Sequence, residues 1–422
     1  MKYARTLTPL GFIASSALIL SGCAGEAGGT EGGAAEGFAY GASQDEVTAA
    51  IEDLEPVEIT FQGGAQSPNS VTAMNDFAFK EYVEERSNGQ ISVEIIWGQA
   101  IAGYSEIEDA LVDGRIDIAY AVPVYKPNEY QAFDAIATAT SGLPNSPVVG
   151  EMIGNATVME LASNSEELAA EYQAQGVTPL LPMISSGTYL SVCADPGTSP
   201  SDWSGRTVRV GNTAHEQQSR SLGGTPTSME YVEVFEALQR GTIDCTLAQM
   251  LPSEEAGLLE VATHVAYTSE ENSMSGRAAG AVLAGTGYQQ LPLAYQQIIF
   301  DSTETQFATS SAGLAEGNVA GVRQLQGAGG EISPLNAEAD QILGETNEEL
   351  LADVEESGHV PPGIADRVAE TGERWSEVAE ELGYTEAGGF EDLDEWYELD
   401  DYDFAPMAKR VFEEVLLEHR PE

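Results

Sequence analysis

The chain has 422 residues, and 69 acidic against 17 basic side chains give it a formal net charge of −52. Such a negative surface repels nucleic acid and anionic lipid head groups, so we predict no nucleic-acid partner. The composition is typical of a protein adapted to a salty exterior, where counter-ions screen self-repulsion over roughly 8 Å or less.

The first residues have the pattern of a secretory signal. Lys2 and Arg5 precede the uncharged apolar stretch Leu7–Leu20, which is the order of a positively charged and then an apolar signal region. The run Leu-Ser-Gly-Cys that ends at Cys23 resembles a bacterial lipobox. We therefore predict a lipoprotein signal peptide at residues 1–22 and an extracytoplasmic protein anchored to the cell membrane by lipid at Cys23. The alternative is an uncleaved membrane anchor, although a span needs about 20 apolar residues.

Residues 23–55 are rich in Gly, Ala and Glu, and this composition predicts a flexible stalk between lipid and domain. After it, Val57–Phe61 alternates apolar and polar side chains as a strand does. Ser70–Arg86 places its apolar side chains on one helical face, and Ile91–Trp97 reads as a second strand. The order strand, helix, strand predicts a parallel α/β sheet.

One sequence unit occurs twice. Ala110–Asp117 reads ALVDGRID and Ala237–Asp244 reads ALQRGTID, and each predicts the end of a helix, a glycine cap and the start of a strand. Two copies favour two α/β lobes that face each other, although a helix that ends in glycine before a strand is also common by chance. Because ligands of open α/β sheets bind beyond the carboxyl ends of strands, we expect Ala119–Tyr125 and Thr246–Pro252 to line the cleft.

These residues resemble the solute-binding subunits of tripartite ATP-independent periplasmic (TRAP) transporters, of the DctP type. The resemblance covers about residues 57–330 and rests on the stretches Phe77–Ile91, Trp203–Val210 and Tyr231–Asp244, together with the first repeat unit. It implies an α/β, periplasmic-binding-protein-like fold in which two lobes, joined by crossing strands and a long helix, close over an organic acid.

The implied organisation places a two-lobe solute-binding domain at residues 56–422. Lobe I is expected at about 56–185 with part of 264–330, and lobe II at about 186–263 with later helices. Residues 331–422 are expected to form a C-terminal helical extension.

Arg209 is the main candidate for ligand binding. In the family the arginine of this strand binds the ligand carboxylate, and the resemblance carries that role to Arg209. The residue type agrees, since a guanidinium presents a fixed fork to two carboxylate oxygens. Without the family, Arg209 is a lone cation in the buried strand Thr207–Val210 and needs an anionic partner. The alternative is therefore an internal ion pair with one of the many acids.

The sequence departs from the family pattern around this arginine. Gly187-Thr188-Tyr189 stands where many members carry a second arginine, and Ala248-Gln249 where they often carry an asparagine. Ala121–Tyr125 is apolar where members are often polar. We therefore predict a monocarboxylate ligand with an apolar or aromatic body. Its expected contacts are Tyr189 and Tyr231, with the further candidates Trp97, Tyr125, Gln249 and Met250. The alternative for each aromatic side chain is a place in the core.

The chain has three cysteines. If Cys23 is lipidated, Cys193 and Cys245 remain as an even pair in an oxidising compartment, which favours a disulfide over two buried free thiols.

Catalytic motifs are absent from the sequence. The four histidines show no metal-ligand spacing, and we find no nucleophile elbow or phosphate-binding loop. We predict no catalytic residues, no metal and no cofactor, hence a binding protein and not an enzyme. The resemblance implies two membrane partners, a small and a large integral TRAP subunit. Alternatives are a receptor for an ABC importer, a sensor, or an extracytoplasmic hydrolase, which would need paired carboxylates in the cleft.

Overall fold

A computed structural model describes residues 37–143, 145–269, 272–274 and 277–422. The predicted signal peptide, Cys23 and the first part of the predicted stalk lie outside these residues. The described chain has the two-lobe α/β fold that the sequence predicted, because its strands form two separate sheets.

The two sheets define the two lobes. In chain order the strands are β1 (Val57–Gln62), β2 (Ile91–Ile95), β3 (Ile118–Ala121), β4 (Thr178–Ser185), β5 (Tyr189–Cys193), β6 (Thr207–Val210), β7 (Thr225–Ser228), β8 (Cys245–Gln249), β9 (His264–Tyr267), β10 (Ala278–Ala284) and β11 (Glu331–Pro334). The sheet of lobe I has the order β2-β1-β3-β10-β4, and that of lobe II has the order β11-β9-β5-β8-β6-β7. β1 pairs with β2 in parallel, as the pattern strand, helix, strand predicted.

The helices pack on both sheets. In chain order they are α1 (Gln44–Ile51), α2 (Ala73–Arg86), α3 (Ile107–Val112), α4 (Gln131–Ala139), α5 (Val149–Ser163), α6 (Glu166–Gln175), α7 (Pro200–Trp203), α8 (Thr213–Ser221), α9 (Val234–Gln239), α10 (Met250–Glu255), α11 (Thr286–Gln289), α12 (Leu293–Gly327), α13 (Ala337–Ser357), α14 (Ile364–Glu381), α15 (Leu393–Trp396) and α16 (Ala405–Val411). The 35-residue helix α12 contacts α2 of lobe I and α10 of lobe II, so it is the long helix that joins the lobes.

The chain crosses between the lobes where β4 continues into β5 and where β9 leads back to β10. At the first crossing Gly187 has a φ of +105°. A Cβ atom there would lie 3.0 Å from Leu314 Cδ1 of α12, so both the backbone conformation and the space require glycine.

The repeated unit is a structural repeat. The glycine of each copy ends a helix in the left-handed conformation, with a φ of 75° in the first and 65° in the second. The aspartate of each copy, Asp117 or Asp244, then accepts a backbone N–H from the neighbouring strand, from Thr60 or Thr207, at 2.7 Å in both cases. Each copy therefore joins a helix to the middle of its own sheet in the same way.

The lobes meet closely along α12 because it carries small residues where α10 crosses it. A Cβ atom on Gly321 would lie 2.5 Å from Met250 Cγ and 2.7 Å from its sulfur. Met250 is 1% exposed and belongs to the core.

We expect Gly321→Ala to lower the free energy of unfolding by about 1–3 kcal/mol, because a methyl group overpacks this crossing. Gly327→Ala is the matched control. It lies in the same helix with nothing within 4 Å of its Cβ position, so alanine there should stabilise by up to about 1 kcal/mol through helix propensity. Urea denaturation measures both, and equal stability of the two variants would contradict the close approach.

The predicted stalk of residues 23–55 extends too far. Within the described residues, α1 packs on the body with Val47 and Ile51 buried. Ser43 and Glu46 form a capping box at its start. The segment has few large apolar residues, but those it has are spaced to face the core.

The C-terminal region is not purely helical. It begins with β11, which pairs in parallel with β9, so lobe II includes β9 beyond its predicted limit and this later strand. α14 then packs on α5, where the Trp375 indole donates to Glu160 Oε2 at 2.7 Å. Glu386 accepts the backbone N–H groups of Val148 and Val149 at 3.0 and 2.8 Å, which caps the start of α5. The predicted amphipathic helix near the C-terminus is present as α16 and a following π-helical turn, Phe412–Leu416.

Candidate ligand-binding cleft

Arg209 is a buried cation without an ion-pair partner in the described residues. It lies on β6 with 2% of its surface exposed. Its Nε donates to the backbone oxygen of Met229 at 3.1 Å, whereas its Nη2 has no hydrogen-bond partner within the described ranges. The ion pairs of the described residues do not include it, so the alternative of an internal salt bridge is not observed there. A desolvated, unpaired guanidinium favours an anion from outside the chain.

One predicted tyrosine, Tyr231, contacts Arg209, and a second, Tyr189, lies close enough to feel its charge. The guanidinium carbon of Arg209 lies 5.5 Å from the ring centroid of Tyr231. Tyr189 begins β5, pairs with Gln249 of β8, and packs its ring edge on His215 with centroids 4.3 Å apart. Burial raises the pKa of both tyrosines above the ordinary value. Their hydroxyls therefore stay protonated and can donate hydrogen bonds to a carboxylate.

Lobe I contributes further tyrosines. The ring of Tyr104 makes edge contacts with Tyr120 at 6.2 Å and with Tyr125 at 6.3 Å between centroids. The Tyr120 hydroxyl lies 3.3 Å from Ser186 Oγ, at the crossing between lobes. Tyr120 falls in the segment 119–125, which was expected to line the cleft because it follows the carboxyl end of a strand. Tyr120 itself was not among the predicted ligand contacts. Tyr104 lies in a loop, and no sequence signal pointed to it.

The lobes enclose a cavity of about 410 Å³, a size typical of small-molecule sites. Its apolar wall includes Phe61, Tyr104, Tyr120, Tyr231, Phe235 and Leu251. Arg209 does not line this cavity directly but lies against Tyr231, which does. The cavity wall on the side of Arg209 is therefore mainly aromatic.

Of the predicted ligand-binding residues, Tyr231 lines this cavity, whereas Arg209, Tyr189, Tyr125 and Gln249 do not. The structure places the other two predicted residues, Met250 and Trp97, elsewhere. Met250 packs on α12, because the chain has already left β8 and its side chain belongs to the lobe contact. The ring of Trp97 lies 5.3 Å from Phe77 and lines a separate surface depression with Lys80. Trp97 follows the end of β2, so the alternation of that strand no longer sets its direction.

A second arginine lies near the cleft, although the sequence motif for it was absent. Arg277 comes from the segment just before β10, and its Nη2 donates to Thr188 Oγ1 at 2.6 Å. Its Nη1 lies 3.8 Å from Glu151 Oε2, and both side chains are buried. Glu151 Oε1 also accepts the Thr188 N–H at 2.6 Å. This pair therefore fastens the two crossing segments to α5.

An acidic wall lies across the lobes. Asp76 of α2 and Glu255 of α10 both line the cavity. Glu255 Oε1 accepts the backbone N–H and the hydroxyl of Thr72 at 3.0 and 2.8 Å. Because Thr72 precedes α2 in lobe I, this hydrogen bond joins the lobes directly.

Burial raises the pKa of Asp76 to about 7, with a smaller contribution from Glu255. An acid whose folded pKa exceeds its unfolded value, near 3.9, favours folding at low pH, and this contribution is lost as the pH rises through about 7. We therefore expect Asp76→Asn to raise the melting temperature of the unliganded protein more at pH 8 than at pH 5. Thermal unfolding at both pH values measures this, and an equal effect would contradict the raised pKa.

Cys193 and Cys245 are joined in a disulfide at the paired ends of β5 and β8, with Cα atoms 4.1 Å apart. The bond connects the strand that carries Tyr189 to the strand that carries Gln249. It therefore stiffens the sheet beside Arg209.

A sequence model of the family described as bacterial extracellular solute-binding protein, family 7 (DctP), matches residues 63–357. The chain belongs to this family. It is a TRAP-type solute-binding protein, as the resemblance implied. The matched residues include every strand of the two sheets except β1 and end with α13, so α14 and the later helices lie beyond the family match. None of the helices in the described ranges combines the length and apolar character that crossing a bilayer requires.

Solved structures share this fold. A TRAP solute-binding protein from Rhodoferax ferrireducens T118, in complex with copurified benzoate, has a TM-score of 0.66 at 18% identity and covers 76% of this chain and 99% of its own. One from Bordetella bronchiseptica, with bound mandelate, has a TM-score of 0.64 at 16% identity and covers 76% and 100%. In sequence, the ectoine-binding periplasmic protein TeaA of Halomonas elongata is 24% identical over 286 residues, 62% of this chain and 79% of that protein.

Proposed function

We propose that this family member captures a small organic acid, a monocarboxylate with an apolar or aromatic body, and delivers it to a TRAP-type membrane permease. The observation that carries the proposal is the buried Arg209, which lies against the ring of Tyr231 and whose Nη2 has no hydrogen-bond partner in the described residues. A carboxylate would supply the missing acceptor and charge, and such charge-assisted hydrogen bonds are about twice as strong as neutral ones.

The aromatic wall supports the choice of ligand body. Tyrosine, phenylalanine and leucine side chains face the cavity from both lobes, and burying an aromatic ring between them is favourable. The structural neighbours with benzoate and mandelate carry aromatic acids. The relatives named for ectoine and for C4-dicarboxylates differ in ligand, so the choice rests mainly on the residues of this cleft.

The architecture supports the proposed delivery step. Lobes joined by two crossing segments and one long helix can close as rigid bodies about a hinge. A permease of one small and one large integral subunit would recognise the closed form. We propose that residues 1–22 are removed and that a lipid on Cys23 holds the protein at the membrane.

The alternative functions have less support. Family membership favours a TRAP permease over an ABC importer or a sensor as the partner. A hydrolase needed paired carboxylates in the cleft, and Asp76 and Glu255 do line it. The family nevertheless consists of solute-binding proteins, and this favours binding over catalysis.

Thermal unfolding with benzoate and with benzamide tests the proposal. Both ligands have one benzene ring and nearly the same size, but benzoate is an anion and benzamide is neutral. At about 100 times its dissociation constant a ligand stabilises by roughly 2.7 kcal/mol, which corresponds to roughly 3 °C for a chain of 422 residues. We expect benzoate to shift the melting temperature and benzamide to leave it unchanged. Equal shifts would show that no carboxylate is recognised.

A further inference from the structure

Asp76 is a buried carboxylate that the protein itself leaves partly unsatisfied. It lies in the first turn of α2 with 2% of its surface exposed, yet it lines the cavity. Its Oδ2 has no hydrogen-bond partner among the residues that the structure describes. The ion pairs found in the described part of the chain do not involve Asp76 or Glu255.

The backbone holds this carboxylate in place. The N–H of Ala65 donates to it, and a Cβ atom on Gly63 would lie 2.2 Å from Asp76 Oδ1. The carboxylate therefore packs directly on the chain that leaves β1. It cannot turn towards solvent without disturbing that segment, so the carboxylate is held at the cavity wall.

The same cavity has two kinds of charge around it. Asp76 from lobe I and Glu255 from lobe II form the acidic wall. On another part of the cavity wall, the ring of Tyr231 lies against the guanidinium of Arg209. The cavity wall also includes Tyr104 and Tyr120. A ligand that matches the whole cleft has an anionic group and a cationic group on one small body.

We propose that the solute is a zwitterion, and that Asp76 receives its cationic nitrogen while Arg209 binds its carboxylate. This inference rests on the proposed function and adds the second recognition group. Glu255 raises the negative potential at the nitrogen, and because it also bonds Thr72 of the other lobe, a cation there is held where the lobes meet.

A cation fits this position better than a neutral donor. Burial raises the pKa of Asp76 to about 7, because the backbone N–H of Ala65 offsets the cost of the buried charge only in part. A protonated amine supplies both the missing hydrogen bond and the opposite charge. A hydroxyl supplies the hydrogen bond alone.

Calorimetric titration of the purified protein with four matched probes tests the inference. The probes are benzoate, para-hydroxybenzoate, para-aminomethylbenzoate and benzylamine, each titrated into the unmodified protein, Asp76→Asn and Asp134→Asn. Asp134 is the matched control, since it is a partly buried acid of α4 whose pKa burial also raises, to about 6. It does not line the cavity.

We expect para-aminomethylbenzoate to bind at least about tenfold more tightly than benzoate. Asp76→Asn should remove this preference while its thermal unfolding stays cooperative, which shows that the variant is folded, and Asp134→Asn should keep the preference. A preference that is absent, or that survives in Asp76→Asn, overturns the inference and leaves the carboxylate receptor intact. If para-hydroxybenzoate and para-aminomethylbenzoate both exceed benzoate in affinity by the same factor, Asp76 does not select a cationic group and the inference is overturned.

The remaining outcomes separate the two proposals. If benzylamine binds in an Asp76-dependent manner but no acid binds, the carboxylate function fails and the acidic subsite stands as a cation site. If none of the four probes binds, both proposals are overturned.

Discussion

Arg209→Gln should weaken binding of a carboxylate ligand at least about 100-fold, the equivalent of roughly 3 kcal/mol, and leave the fold intact. The loss is large because a desolvated charge pair is broken and the ligand anion would then be buried without a partner. The unliganded protein should not become less stable, because in the described residues Arg209 makes no internal ion pair and its Nη2 bonds nothing.

Calorimetry with benzoate and thermal unfolding without ligand measure the two effects. Arg206→Gln is the matched control. This arginine lies three positions earlier and is partly exposed, and its guanidinium bonds the backbone oxygens of Asp195 and Pro196. It should retain binding. Arg209→Lys keeps the positive charge but loses the paired N–H donors of the guanidinium. We therefore expect its affinity for benzoate to lie between that of the unmodified protein and that of Arg209→Gln. If Arg209→Gln unfolds the protein, or binds benzoate normally, the arginine is structural.

Removing the disulfide with Cys193→Ala and Cys245→Ala should lower the free energy of unfolding by about 4 kcal/mol. The bond closes a loop with a sequence separation of 52, and the entropy of closing such a loop in the unfolded chain gives this magnitude. For a chain of 422 residues the melting temperature should fall by roughly 5 °C. We also expect weaker ligand binding, because β5 and β8 carry Tyr189 and Gln249.

A reductant provides the control for this experiment. It should lower the melting temperature of the unmodified protein towards that of the double variant, and it should not change the double variant. Alkylation of both cysteines in the native, unreduced protein would instead show that the pair is not oxidised.

The sequence by itself determined the parts of the fold that depend on local pattern. Alternation and glycine caps located the strands and the repeated unit, because the left-handed conformation after a helix selects glycine wherever it occurs. The repeat also paired Asp117 with Asp244, since both aspartates stand at the same place in their copies. Arg209 was also visible, since a cation inside an apolar strand is rare enough to need a reason.

Local pattern was less reliable where an element ends. Met250 and Trp97 each follow the last residue of a strand, and the alternation that orients side chains no longer applies there. The capping box of Ser43 and Glu46 was present in the sequence, but the composition around it predicted a stalk.

Only the tertiary structure decided which charges are compensated. Glu151 and Arg277 are far apart in sequence, and packing at the crossing between lobes brings them together. Asp76 reads as an ordinary acid in the first turn of a helix, where the helix dipole favours it. It is distinctive because Gly63 and the surrounding segments remove it from water and leave one carboxylate oxygen without a hydrogen-bond partner in the described residues. Solvation depends on every surrounding atom and not on neighbours in sequence, so the charge pattern of the cleft emerges only when the chain is folded.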